Sequence, residues 1–500
     1  MDRSPDRCGD RGAPATSVAV RRAISLALIA SVSTAAAAGP AYTVEAETVW
    51  HAPLLEAGRC SPRAADLNAD GTDDVVLGGG VEDHWGEVVA LDGRTGDVLW
   101  SRRLPDDVLV ALPLLDVDRD RVPDVFVGGR SRLRGVHASS GRDGRPLWRL
   151  DEANPQATFP PINFVNLLLV GDRSGDGRDD LLVVQSGGKD TRRIAARFHW
   201  VDSADGSLLE TLVAPDGKES YSLPLVQQRP GERPRFYVGT GGETLSGNLL
   251  RLRPPAFAEE WRVRAIGGGF VGSPALVDLD RDGADEIVAS DMPGAVYRID
   301  AETGAVGWRW RERPRWTYVS PAAGSFGGDA TLDVVAGVNR GVFPESAGAD
   351  VLWLDGASGR VLSRRSFDER TTFAASSPLV LDLDGDGRDE VLIVLTDDFL
   401  DPATPGRRHR LLILDGGDDR RPVLDLELEG DSIATPRLAD LDGDGRLDLV
   451  HASRHGALRL ELSVSGGVPG AERRPPRVRW GEMRGGNGQG IYASQRGASP

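Results

Sequence analysis

The residues with the plainest chemical purpose in this chain are aspartates set two apart. A nine-residue pattern recurs six times, with an oxygen-bearing side chain at positions 1, 3 and 5, usually Gly at 6, and a carboxylate at 9. The first copy is Asp66, Asn68, Asp70, Gly71, Asp74, and the second is Asp116, Asp118, Asp120, Arg121, Asp124, with Arg in place of Gly. Asp172, Ser174, Asp176, Gly177, Asp180 follow, then Asp278, Asp280, Asp282, Gly283, Glu286. The last two are Asp382, Asp384, Asp386, Gly387, Glu390 and Asp440, Asp442, Asp444, Gly445, Asp448. Alternating carboxylates let a short segment wrap a hard cation, since Ca²⁺ takes six to eight oxygens in flexible geometry. Gly at position 6 permits the turn that returns position 9 to the metal. Position 7 would offer only its carbonyl, and Thr72, Val122, Arg178, Ala284, Arg388 and Arg446 there share no chemistry. The expected ligand is Ca²⁺, in up to six loops. A solvated acidic turn is the plain alternative, but stacked carboxylates repel one another without a cation. An EF-hand needs a bidentate Glu at position 12; Leu77, Val127, Val183, Ala289, Ile393 and His451 stand there, which excludes it.

The loops need elements to hold them, and these also repeat. Pro stands four residues ahead of the loop at Pro62, Pro274, Pro378 and Pro436, and again at Pro224 and Pro321. The last two mark decayed copies: Gln228, Pro230, Glu232, Phe236, and Ser325, Gly327, Asp329, Asp333. Eight loop starts result, 47 to 58 residues apart. Each unit carries a second motif of apolar runs around an Asp/Gly turn, clearest in Val88 to Trp100, which reads as a β-hairpin. Trp50, Trp100, Trp261 and Trp308 fall just ahead of the next loop, so the Trp closes one unit and the loop opens the next. Units of this length with about four short strands predict an all-β, eight-bladed β-propeller. A seven-bladed ring or a β-solenoid is the structural alternative. Either Thr48–Trp50 or Val478–Trp480 could supply the strand that closes the ring.

The expected organisation is a signal peptide over 1–38, one propeller over 47–485 and a flexible tail over 486–500. Arg21 and Arg22 precede an uncharged Ala/Ser-rich stretch that ends in small residues before Gly39-Pro40, which fits export and cleavage near Ala38. The stretch is short for a membrane span, and no other segment of sufficient length is present. Loss of the leader would take the formal charge from −17 to −19, which argues against nucleic acid or an anionic membrane as partner. Of two cysteines, Cys8 leaves with the leader and Cys60 remains alone, so no intrachain disulfide staples the exported protein.

The Asp-x-Asp-x-Asp-Gly-x-x-Asp loops resemble the FG-GAP (VCBS) repeats of integrin α-chain propellers and many bacterial secreted proteins. The segment from Ala90-Leu91-Asp92 to Trp100 is similar to the blade repeat of quinoprotein-like propellers. The first resemblance implies Ca²⁺ at the propeller rim in the six complete loops, and a secreted or periplasmic recognition, adhesion or scaffold module for a protein or glycan ligand. The second implies a quinone-dependent dehydrogenase as one alternative, although a single exported Cys excludes the vicinal disulfide of many members. Calcium-dependent polysaccharide lyases on eight-bladed propellers are the other alternative; they need a base beside the cation.

No catalytic residue is singled out. Gly267-x-Gly269-x-x-Gly272 matches a dinucleotide pattern but leads into a strand where a helix is required. His451 and His455 read as two same-face surface residues of a strand, and Cys60 reads as buried packing. His84-Trp85 and the Trp308, Trp310, Trp316 group read as blade packing more readily than as a ligand surface.

Overall fold

The computed structural model describes residues 42–482 except 55, 82–83, 110–111, 130–134, 152–163, 188–194, 230–231, 244, 255–256, 369–372, 398–406, 418 and 467–475. The leader expected over 1–38, the tail over 486–500 and Pro230 lie outside the described residues. Eight blades of antiparallel strands form a β-propeller, with no α-helix among the described residues.

Blade 8 takes β1 (Tyr42–Pro53) from the N-terminal end of the propeller. Blade 1 is β2 (Arg63–Ala65), β3 (Asp74–Val81), β4 (Trp85–Leu91) and β5 (Val98–Leu104). Blade 2 is β6 (Leu114–Leu115), β7 (Asp124–Gly128), β8 (Gly135–Ser139) and β9 (Pro146–Asp151). Blade 3 is β10 (Phe164–Val170), β11 (Asp180–Gln185), β12 (Arg197–Val201) and β13 (Leu208–Val213). Blade 4 is β14 (Leu225–Gln227), β15 (Arg235–Gly239), β16 (Asn248–Arg253) and β17 (Ala258–Arg264). Blade 5 is β18 (Ala275–Val277), β19 (Glu286–Ser290), β20 (Val296–Asp300) and β21 (Val306–Trp310). Blade 6 holds β22 (Arg315–Trp316), β23 (Ala322–Gly324), β24 (Asp333–Arg340), β25 (Ala349–Leu354) and β26 (Val361–Phe367). Blade 7 holds β27 (Phe373–Ala374), β28 (Leu379–Asp382), β29 (Glu390–Thr396), β30 (Arg408–Leu414) and β31 (Pro422–Glu429). Blade 8 completes itself with β32 (Arg437–Ala439), β33 (Leu447–Ser453) and β34 (Gly456–Gly466), and β35 (Arg477–Trp480) joins blade 7.

The strand patterns follow from where each strand sits in the stack. Second strands are covered by neighbouring blades on both faces, so β11 (Asp-Leu-Leu-Val-Val-Gln) and β29 (Glu-Val-Leu-Ile-Val-Leu-Thr) are buried throughout and read as continuous apolar runs. Fourth strands have one face to water, and β13 alternates half-buried with exposed residues. The core is a ring of apolar clusters, each shared by adjacent blades. Val76, Trp100 and Val125 join blades 1 and 2, for example, and Trp50, Val75, Leu77 and Val450 join blades 8 and 1.

The two candidates for ring closure take different places. β1 pairs with β34 over eleven residue pairs and closes the ring, beginning at Tyr42, five residues ahead of the expected start. β35 pairs instead with β28, the first strand of blade 7. Just beyond it, Gly481 O accepts the Leu438 amide at 2.7 Å, and Glu482 pairs with Arg63 of blade 1 and Arg437 of blade 8. The C-terminal strand thus lies where the first strands of blades 7, 8 and 1 converge.

Candidate metal sites at the blade loops

Each acidic loop joins the first and second strands of its blade, and its course is set by two left-handed residues. Position 4 has φ between 59° and 85° in all six complete loops, as Ala69, Arg119, Gly175, Arg281, Gly385 and Gly443. Position 6 has φ between 73° and 91°, and Arg121 adopts the same conformation as the five glycines. The Arg substitution therefore leaves the loop's path unchanged at the strain cost of a non-Gly αL residue. In five loops the carboxylate at position 1 accepts the amide at position 6: Gly71 to Asp66 (3.1 Å), Arg121 to Asp116 (2.9 Å), Gly177 to Asp172 (2.9 Å), Gly283 to Asp278 (3.1 Å) and Gly445 to Asp440 (3.0 Å).

The structure brings together one oxygen from each of three carboxylates, within 4.8 Å of one another, in four loops. These sets are Asp116, Asp118 and Asp124; Asp278, Asp280 and Asp282; Asp382, Asp384 and Asp386; and Asp440, Asp442 and Asp448. The other two loops have Asn68 or Ser174 at position 3. An all-oxygen donor set on a loop preshaped by two αL turns suits a hard divalent cation such as Ca²⁺. Asp382 is the strongest single sign, since it is only 2 % exposed and its Oδ1 has no hydrogen-bond partner.

Position 9 does more than point at a metal. It is the first residue of the second strand in six blades, and its carboxylate gathers backbone amides. Asp74 accepts Leu67 (2.9 Å), Asn68 (3.1 Å) and Gly93 (2.9 Å), and Asp124 accepts Val117 (2.8 Å) and Gly141 (3.1 Å). Asp180, Glu286, Glu390 and Asp448 likewise accept amides from the start of their own loops. The group ties the loop to the blade's own hairpin turn. Asp333 of the decayed blade 6 loop keeps this clamp, taking Gly327 (2.6 Å) and Gly356 (3.1 Å), whereas Phe236 of blade 4 has lost it.

Burial raises several of the loop carboxyls, among them Asp74, Glu286 and Asp448. Asp124 and Asp384 are pushed up to about 6, and Glu390 to about 9 with Asp384 and Asp386 adding repulsion. Elsewhere guanidinium groups counter the repulsion. Arg298 Nη2 meets Asp280 at 2.5 Å and Glu286 at 2.7 Å. Arg459, 1 % exposed, meets Asp442 at 2.5 Å and Asp448 at 2.8 Å, and holds the Asp442 carboxyl below the usual range. Arg145 meets Asp118 at 2.6 Å, Arg142 meets Asp120 at 2.7 Å, and Arg178 pairs with Asp176.

Sequence reasoning missed these arginines because, apart from Arg178 beside Asp176, each stands 11 to 27 residues from its acidic partner along the chain. It also passed over position 8, where Asp73, Asp179, Asp285 and Asp389 stand. Asp389 is fully buried between Arg479 (3.2 Å) and the Ser325 amide (2.6 Å), and Asp285 receives Gln227 and Arg229. The doubled acids at positions 8 and 9 were the available signal.

The remaining motifs resolve as packing apart from His84, which is exposed, and with one further correction. His451 is not a surface residue paired with His455: it is fully buried, and its Nε2 lies 2.9 Å from Nε2 of His409. His409 Nδ1 donates to Gly430 O at 2.8 Å, so its Nε2 accepts the proton of His451. A strand reading cannot see a neighbour in the next blade. Cys60 is fully buried, its thiol pushed up to about 12 by burial. Trp308 and Trp316 are buried, Trp310 packs at the edge of the same core as Trp308, and His84 is exposed. Gly267–Gly272 runs into β18 without a helix.

Residues 41–230 match the sequence profile of a family described as outer membrane protein assembly factor BamB. No curated protein matches the chain in sequence. BamB from Moraxella catarrhalis superposes with a TM-score of 0.51 at 15% identity, over 86% of this chain and 100% of that one. The quinohemoprotein alcohol dehydrogenase from Comamonas testosteroni gives 0.58 at 12% identity, over 86% and 77%. A europium-containing methanol dehydrogenase gives 0.58 at 13% identity, over 82% and 85%. The chain is thus similar to the quinoprotein-like β-propellers in fold.

Proposed function

We propose that the chain is an exported propeller, stiffened by calcium at its blade loops, that serves as a binding scaffold for a protein or glycan ligand. The observation that carries the calcium reading is the convergence of three carboxylates in each of four loops, in the manner of FG-GAP repeats. The profile match to an outer membrane protein assembly factor supports export to the periplasm or beyond, and a scaffold role toward other proteins. The likeness to the two dehydrogenases is one of fold, and the arginines nearest the loop carboxylates are engaged in ion pairs instead of standing free as a lyase base.

Thermal unfolding in millimolar calcium and again in chelator tests the reading. A midpoint lowered by several degrees in chelator is the expected result, and an unchanged midpoint would remove calcium from the fold. Pectic polymers assayed for unsaturated products, and alcohols assayed for dye reduction with added quinone, separate a scaffold from the two enzyme classes. Turnover in either assay would overturn it.

A further inference from the structure

The six loops are unequal, because this chain supplies some of them with a cation of its own. In blades 4, 5 and 8 an arginine occupies one blade position, the third-strand residue next to the register shift: Arg251, Arg298 and Arg459. Each faces the Trp of the adjoining fourth strand, Trp261, Trp308 and Trp50. From there Arg298 and Arg459 reach positions 3 and 9 of their own loops, and their Nη1 atoms donate to Gly356 O (3.3 Å) and Gly93 O (2.8 Å) of the next blade. A guanidinium fixed at both ends between two carboxylates stands where a bound cation would draw them together, and a divalent ion must displace it.

Blade 7 has the opposite arrangement. Its residue at the same position is Ile413, fully buried, and the guanidinium that reaches its loop, Arg479, pairs with Asp389 at position 8 instead of a carboxylate at positions 1, 3, 5 or 9. Among the described residues no arginine or lysine forms an ion pair with Asp382, Asp384, Asp386 or Glu390, whereas each of the other three clustered loops has at least one such pair. Asp382 is also the position 1 carboxylate that takes no position 6 amide. It is the last residue of β28, set opposite Arg477 of β35, and the added strand covers that edge of blade 7. Its Oδ1 is orphaned, and one of its carboxylate oxygens lies within 4.8 Å of an oxygen of Asp384 and of Asp386. A buried carboxylate without donor or counter-charge is costly unless a cation is supplied from outside.

Resting on the calcium reading above, we infer that the blade 7 loop, Asp382–Glu390, is the tight calcium site of this protein, while Arg298 and Arg459 replace the ion in the loops of blades 5 and 8. Calorimetric titration of the chelator-stripped full chain with Ca²⁺ alone tests this. Asp384→Asn is expected to weaken the tightest class of sites tenfold or more. Asp280→Asn and Asp442→Asn should leave it within about twofold. Arg298→Gln and Arg459→Gln, by freeing their loops, should each raise the stoichiometry by one. Retention of the tightest class in Asp384→Asn, or its loss in Asp280→Asn, overturns the assignment. If Asp384→Asn fails to fold, the arginine variants decide, and no gain of a site in either overturns it. Wild-type protein that binds no calcium would sink the calcium reading itself, a result distinct from calcium bound with the wrong order among loops.

Discussion

Asp333 separates the two duties that a position 9 carboxylate can carry. Its loop has lost the position 1 acid, yet the buried side chain still accepts two backbone amides, from Gly327 and Gly356. Asp333→Ala strands both donors and should cost roughly 2–4 kcal/mol. Urea unfolding should show the same loss with calcium and with chelator; a loss confined to calcium would make Asp333 a ligand after all. The buried histidines set a second expectation. His199, held between Thr211 Oγ1 (2.8 Å) and Gln185 Oε1 (3.1 Å), is pushed down to about 4 by burial with Arg197 adding, and His451 and His409 are lowered by burial too. The unfolded chain takes up these protons first, near pH 6.5, so stability is complete above that value and falls as pH drops toward 4. His199 alone accounts for on the order of 3 kcal/mol over that window. Unfolding followed from pH 7.5 to 4.5 in wild type and His199→Gln checks it, the variant being expected to show the shallower slope.

Between elements, the main connection is a tryptophan that reaches from the fourth strand of one blade to the hairpin turn of the next. Trp100 donates to Gly141 O at 2.6 Å, Trp148 to Ser203 O at 2.8 Å and Trp308 to Gly356 O at 2.8 Å, with Trp50 and Trp261 alike. The indole lies against the turn glycine, so a Cβ on Gly144 would come within 2.7 Å of Trp100 and would need φ of 72° as well. Trp100→Ala should cost about 3–5 kcal/mol, as for a large core side chain, and Gly144→Ala should lower the thermal midpoint for the same contact. A midpoint unchanged in both would mean that blades 1 and 2 do not depend on the latch. Two of the other three interfaces have anchors of their own: Trp200 packs on Phe257 (4.7 Å) between blades 3 and 4, and Arg420 lies over Trp353 (5.1 Å) between blades 6 and 7. The spacing of four of the tryptophans was legible in sequence as a unit end. Their docking onto the following unit was not, because each partner turn lies some forty residues away along the chain.

At the scale of the ring, closure rests on β1, which joins the first residues of the propeller to its last complete hairpin. Deleting residues 42–53 would uncover the eleven-residue β34 as a bare edge. Such an edge recruits other strands, so light scattering should report self-association, and a monodisperse monomer would show that β1 is dispensable. Calcium acts on the same scale. At ~1 mM and site constants of ~10⁻⁴–10⁻³ M, each bound ion adds roughly 0.4–1.4 kcal/mol, so one tight loop with several weak ones has a smaller effect than six equal sites.

By itself the sequence determined the fold and the loops. A repeat of 47 to 58 residues, continuous apolar second strands and a turn chemistry of Asp and Gly are local signals, and local signals survive without knowledge of neighbours. It therefore marked all eight blades, including the two whose loops have decayed. Tertiary structure decided everything that depends on which strand lies beside which. It chose β1 over β35 for closure, buried His451 against His409, set Arg298 and Arg459 across two loops, and left Ile413 opposite the third. The electrostatic state of a carboxylate depends on charges within a few ångströms, and in a ring of blades those charges come from other strands and other units, where no spacing along the chain records them.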